Sequence, residues 1–263
     1  MGWALLLGGS MAQLTIAATP SVSSAIEFPM LNRVLLIGLI AGLVAGSAAA
    51  LVQVRVVQPL IVVAEEAEVA QLHAQHIHSH HGHEDVHTHD DIEEPSDNPE
   101  TRKWSTAIAV VCTAIGYGLM ASSVMFFLKV KGLKGGLILG GLGFLSIQLM
   151  PALGVAPQPP GTPSFDVHTR QLWWAFAAFS TVAASSLAFQ SIRLRKASFG
   201  AAAAVLMLLP HLVRPWLDGM GPIPRFEELS TPFVLASAAM TATLWFLLGT
   251  VSGLLHARIP DGR

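Results

Sequence analysis

The chain has 263 residues, 52% of them apolar and only 12% charged, with a formal charge of −2. A soluble domain carries about 25% charged residues, so this composition excludes a soluble globular protein and points to an integral membrane one. The single cysteine, Cys112, excludes an internal disulfide, and there is no GxxxxGK[ST] nucleotide loop and no basic run with interleaved aromatics for nucleic acid.

Residues 1–29 read as an N-terminal extension. Trp3 to Thr19 is apolar but broken by Gly8, Gly9, Ser10 and Gln13, and it lacks the positive start of a signal peptide. Translation from Met30 is one reading, since Met30-Leu31-Asn32-Arg33 leads straight into an apolar run. The first span is expected at 34–57, within a first unit of 30–63. Gly38, Gly42 and Gly46 recur every four residues with Ala50 continuing the row. Such a ridge lets a second helix approach closely in lipid, either in the same chain or in a partner subunit.

Residues 64–103 are hydrophilic and too poor in apolar residues for a core of their own. They are expected as a loop, with a helix continuing from the first span towards His76. Eight of the eleven histidines lie here: His73, His76, His78, His80, His81, His83, His87 and His89, followed by Asp90 and Asp91. Imidazole nitrogen and carboxylate oxygen are the ligands that Co, Ni, Zn and Cu prefer over Mg or Ca. As a helix, His73, His76, His80, His83 and His87 share a face; as a strand, His76, His78 and His80 do. The cluster is therefore a metal-binding tract, although spacing singles out no one ligand.

Further spans are expected at 104–128, 135–155, 171–190, 198–213 and 232–255, with 256–263 as a short tail. The fifth, 198–213, is the weakest, because it is short and holds Pro210 and His211. The expected fold is thus an all-α, polytopic transmembrane helix bundle of about six spans, or five if that segment is re-entrant, with a His-rich extracytoplasmic loop. Alternation from a cytoplasmic Arg33 puts nine Lys and Arg inside and five in outside loops, with Arg55 near the outer end of the first span, while fifteen of seventeen acidic residues fall outside. By the positive-inside rule the His-rich loop faces out, as on a bacterial inner membrane.

Polar groups at membrane depth are costly and often functional. Four are candidates for a transport path: Glu65, between the first span and the histidines; Gln148, before Pro151; His168, in the outer loop; and His211, after Pro210. No Ser-His-Asp set, no HExxH and no pair of carboxylates inside a span points to an enzyme. An inside-negative potential favours entry of a divalent cation by roughly 4.6 kcal/mol per 100 mV, more than about a thousandfold in concentration. Import then needs no nucleotide, and an outward histidine tract would raise the metal concentration at the entrance. The imidazoles bind metal when neutral, so affinity is expected to fall between about pH 7 and about pH 5.5.

Four stretches carry a family resemblance: MLNRVLLIGLIAGLVAG from Met30, QPLIVVAEEAE from Gln58 to Glu68, LGFLSIQLMPALGVAPQPPG from Leu142 followed by TRQLWW, and LMLLPHLV from Leu206 to Val213. In order and spacing they resemble the proposed cobalt transporter subunit family, CbtA, across most of residues 30–255. The resemblance implies cobalt uptake for cobalamin synthesis and a small partner, CbtB, with one span and its own histidine motif. It also implies five spans rather than six, and it leaves residues 1–29 outside the pattern.

The expected function is uptake of a divalent transition metal, Co²⁺ first, with Ni²⁺ or Zn²⁺, efflux, or a non-transporting metal scaffold as rivals. The metal is substrate, and no permanently bound cofactor is expected. Expected partners are the lipid bilayer, the CbtB-like subunit and a second copy of the chain, with no nucleic acid.

Overall fold

The computed structural model describes residues 24–79, 98–162, 166–213 and 224–259, and every regular element among them is helical. A first rod comprises α1 (Ser24–Val52), a π turn (Gln53–Val57) and α2 (Gln58–Ser79). Its apolar part, Met30–Ala70, is 41 residues, about 62 Å at the α-helical rise. That is twice the hydrocarbon thickness of about 30 Å, so the rod projects well beyond a bilayer. The helix expected to continue from the first span towards His76 is present as α2 and runs to Ser79.

The rod is followed by α3 (Pro99–Leu128), α4 (Gly132–Phe144), a second π turn (Leu145–Leu149), α5 (Met150–Gly154), α6 (Val167–Leu194), α7 (Ala197–Leu212) and α8 (Pro224–Arg258). Asn98 opens α3 by accepting the Glu100 amide at 3.1 Å, and Asp166 opens α6 by accepting that of Thr169 at 3.1 Å. These side chains satisfy amides left over at a helix start. Lys129 and Arg195 close α3 and α6 in the left-handed region, at φ 54° and 53°. Both put a cation beside a helix C-terminus, where the backbone dipole favours it.

Close approach of small residues builds the body. The row Gly38, Gly42, Gly46 lies on α3 of the same chain, against Leu119, Ile115 and Val111. A Cβ on Gly42 would fall 2.5 Å from the Ile115 Cα, so only glycine permits this crossing. On the other side, Gly136 and Gly140 of α4 meet Gly249, Gly253 and Trp245 of α8 in the same manner. Ala45, Ala49, Ala114, Leu244, Trp245 and Leu248 fill the centre of the four-helix body formed by α1, α3, α4 and α8. Helices α6 and α7 form an antiparallel hairpin that joins this body mainly through the second π turn and α5.

Among the described residues, five stretches are long and apolar enough to cross a membrane: Met30–Ala70, Glu100–Leu128, Gly132–Gly154, Val167–Leu194 and Glu228–Arg258. The sixth expected span is α7, of 16 residues, about 24 Å and short of the bilayer core. It nevertheless carries the chain back along α6, because the Trp173 indole near the start of α6 donates to the Pro210 carbonyl near the end of α7, at 3.3 Å. From α1 to α8 the described residues therefore traverse the bundle six times, five of them on full-length helices. In keeping with that even number, Arg33 of α1 and His256 of α8 meet at one end.

Both π turns have one cause. Each stands one residue ahead of a proline, in the sequences QVRVV-Q-Pro59 and LSIQL-M-Pro151. A proline inside a helix has no N–H to give and its ring crowds the carbonyl four residues back, and a one-residue widening relieves the crowding. The Gln58 amide consequently bonds to Gln53, five residues back, and the Met150 amide to Leu145. The Val54 and Ser146 carbonyls then receive no donor from their own helix. Their α-helical partners are committed elsewhere, and their next partners are prolines.

Candidate metal pathway

At the Glu65 end of the body, the second π turn, α5 and α6 enclose a cavity of about 390 Å³. Ile147, Pro151, Trp173 and Trp174 supply apolar wall, and Gln148, Gln158, Gln171 and Arg170 supply the polar groups. The two tryptophans order it. Trp174 donates its indole N–H to the Ile147 carbonyl at 3.1 Å, the very carbonyl that Pro151 deprives of a helical donor. Trp173, 6% exposed, is wedged over Gly154 and bonded to Pro210.

Of the four expected path residues, one lines the cavity and a second lies against a tryptophan of its wall. Gln148 lines the cavity. His211 stands behind its wall, half-buried, edge-on to Trp173 with ring centroids 6.2 Å apart. His168 is exposed on the first turn of α6 and does not line the cavity. Glu65 lies on α2 and is engaged by the Arg102 guanidinium through both carboxylate oxygens, one of them at 2.7 Å and the other closer still. With about a third of each side chain exposed, the pair contributes about 1 kcal/mol or less. It neutralises the carboxylate that was expected to face a passing cation.

His73, His76 and His78 lie on the last turns of α2, which places the first two one helical turn apart. His80, His81, His83, His87, His89, Asp90 and Asp91 lie outside the described residues. Among the described residues, no group of three or more His, Cys, Asp or Glu side chains is gathered as a metal site.

Two features escaped the sequence reading. At the Arg33 end, the Arg33 guanidinium donates to the His256 carbonyl at 3.0 Å, His256 Nε2 lies 3.1 Å from Ser122 Oγ, and Ser122 donates to the Val34 carbonyl at 2.8 Å. Arg33, Ser122 and His256 are all buried, so this polar knot ties α1, α3 and α8 together. A signal existed: Leu244, Leu248, Ser252 and His256 form one row, four residues apart, on the core face of α8. The second feature is Gln58. It is 7% exposed, and its Oε1 is buried with no hydrogen-bond partner. An unmet buried acceptor costs about 1–3 kcal/mol.

Residues 31–257 match the family described as probable cobalt transporter subunit (CbtA). No curated protein and no solved structure matches the chain.

Proposed function

The chain belongs to the CbtA family of probable cobalt transporter subunits, and from that premise we propose that it takes up Co²⁺ across a bacterial inner membrane, feeding cobalamin synthesis. One observation carries the reading: the family match runs over residues 31–257, through all five helices long enough to cross a bilayer. A multi-pass body with a family-wide match supports movement of an ion rather than catalysis.

The Arg33 end faces the cytoplasm in this reading. The turns at Lys129–Lys131 and Arg195–Lys196 lie at that end with Arg33 and Arg258, and their charge supports the orientation. The rod α1–α2 then lifts His73, His76 and His78 outward on a helix that projects beyond the bilayer, and the tract through Asp91 collects metal there. Ni²⁺ and Zn²⁺ satisfy the same ligands and are competing cargoes. A subunit implies a partner, and a small one-span protein with its own histidine motif, CbtB-like, fits that role. Gln148 and His211, which meet through Trp173, are the polar steps kept for the outer path. Glu65 stands above them already paired, and His168 lies at the surface.

The test is uptake of radioactive cobalt into cells with and without the gene, alone and together with a one-span partner. Gene-dependent accumulation supports uptake. Gene-dependent loss of preloaded cobalt supports export. If the purified protein binds cobalt yet moves none in liposomes under either condition, it is a metal-delivering scaffold.

A further inference from the structure

Gln58 follows the first π turn, and a buried side-chain acceptor and a backbone carbonyl that lacks its helical donor lie on adjacent turns there. Its Oε1 is buried without a hydrogen-bond partner. The Val54 carbonyl, one turn before it, receives no donor from its own helix, because the Gln58 amide goes to Gln53 and Pro59 has none. Helical side chains lie back over the preceding turn, so the Gln58 carboxamide and the Val54 carbonyl belong to one patch of surface.

The neighbouring Val57 packs on Phe233 and Ala236, with Met240 partly buried beside them. A leucine would fill the position of Gln58 with no unmet acceptor. The fold instead keeps oxygen there, and oxygen without a donor attracts a cation.

We propose that Gln58 Oε1 and the Val54 carbonyl form a waypoint for a divalent transition-metal cation that keeps part of its water shell. The assignment rests on the transport reading above and adds a step to it. Two neutral oxygens cannot replace the whole hydration shell of a doubly charged ion in lipid. The ion is held weakly, as passage requires. Widened or broken helices whose freed carbonyls face a cation are a recurrent transporter device.

The second π turn does not serve in the same way. Beside its free Ser146 carbonyl, the Ile147 carbonyl is taken by Trp174, and Arg170 lines the adjoining cavity. The charged groups nearest Gln58 in sequence are Arg55, which is exposed, and Glu65, which Arg102 holds two turns further out.

Two variants of the full chain test the proposal, Gln58→Leu and Gln58→Glu. The leucine variant should fold, with an unfolding temperature in metal-free buffer equal to or above wild type, since it removes an unmet acceptor. Its uptake of radioactive cobalt at saturating metal should fall by about tenfold or more. The glutamate variant should bind cobalt chloride more tightly and release it more slowly. A leucine variant that carries cobalt at the wild-type rate overturns the waypoint.

If wild type itself carries no cobalt, the transport reading fails, and the waypoint is read from binding instead. Cobalt chloride should then raise the unfolding temperature of wild type more than that of Gln58→Leu. An equal rise in both overturns the site.

Discussion

Arg33 and His256 are 223 residues apart in sequence, and the guanidinium of the first donates to the backbone carbonyl of the second at 3.0 Å. This contact closes the bundle, because it sets the start of the first rod beside the end of the last helix. It also fixes parity between these two residues, since a path that leaves Arg33 and returns to His256 at the same end must traverse an even number of times.

Parity predicts topology. In a Cys112→Ala background, single cysteines placed at residues 130, 195 and 260 should react from one side of the membrane, and those at residues 95 and 160 from the other. Labelling with an impermeant maleimide reads this directly. Reaction of 160 and 195 from the same side would show that one traverse is missing.

The polar knot should matter for stability. Ser122→Ala removes a hydroxyl that bonds both His256 and the Val34 carbonyl, at about 1 kcal/mol. Reversible unfolding in detergent should show that loss. Ser47→Ala, on the exposed face of α1, should stay within about 0.5 kcal/mol of wild type.

The glycine ridge makes a steeper prediction. Gly42→Val places side-chain carbon where the Ile115 backbone already lies, so the α1–α3 crossing must open at about 3 kcal/mol or more. Monodisperse protein should be lost on size-exclusion chromatography. Wild-type behaviour would mean that α1 and α3 do not cross at this row.

Trp174→Phe keeps a six-membered aromatic ring but removes the five-membered ring of the indole, and with it the N–H that satisfies the Ile147 carbonyl. A loss of about 1 kcal/mol is expected. Trp173→Ala opens the wedge between Gly154 and Pro210 and should cost about 3–5 kcal/mol. Equal effects of the two variants would contradict the separate roles drawn for these neighbours.

Much of this architecture was legible from residue patterns, because a bilayer sets the length of a spanning helix. The five long helices lie where uncharged runs predicted them, and the weak segment around Pro210 proved to be the short traverse. The Gly38–Gly46 row announced a close crossing, but nothing in its spacing said that α3 of the same chain would fill it. Contacts far apart in sequence were the blind spot. Glu65 was legible as a candidate path residue, but its pairing with Arg102, 37 residues away, was not. His256 was assigned to a short tail because the expected last span stopped at Leu255, whereas it is 2% exposed and bonded to Ser122. The π turns follow from Pro59 and Pro151, yet a proline alone does not distinguish a widened turn from a kink or a break. The histidine tract was the most conspicuous sequence feature, and its residues from His80 to Asp91 lie outside the described residues.

The tract's own chemistry can be read in isolation. A 70–92 peptide should bind cobalt at about pH 7 and lose most of that affinity by about pH 5.5, as its imidazoles take up protons. Calorimetry at the two pH values checks this, and pH-independent binding would contradict it.

The most direct measurement is radioactive cobalt uptake at limiting metal, comparing the full chain with one lacking residues 72–91. The account predicts gene-dependent uptake that falls by about tenfold at limiting cobalt in the deletion, with the rate at saturating cobalt retained. Uptake that is unchanged by the deletion, or absent with the full chain and its partner, would contradict it.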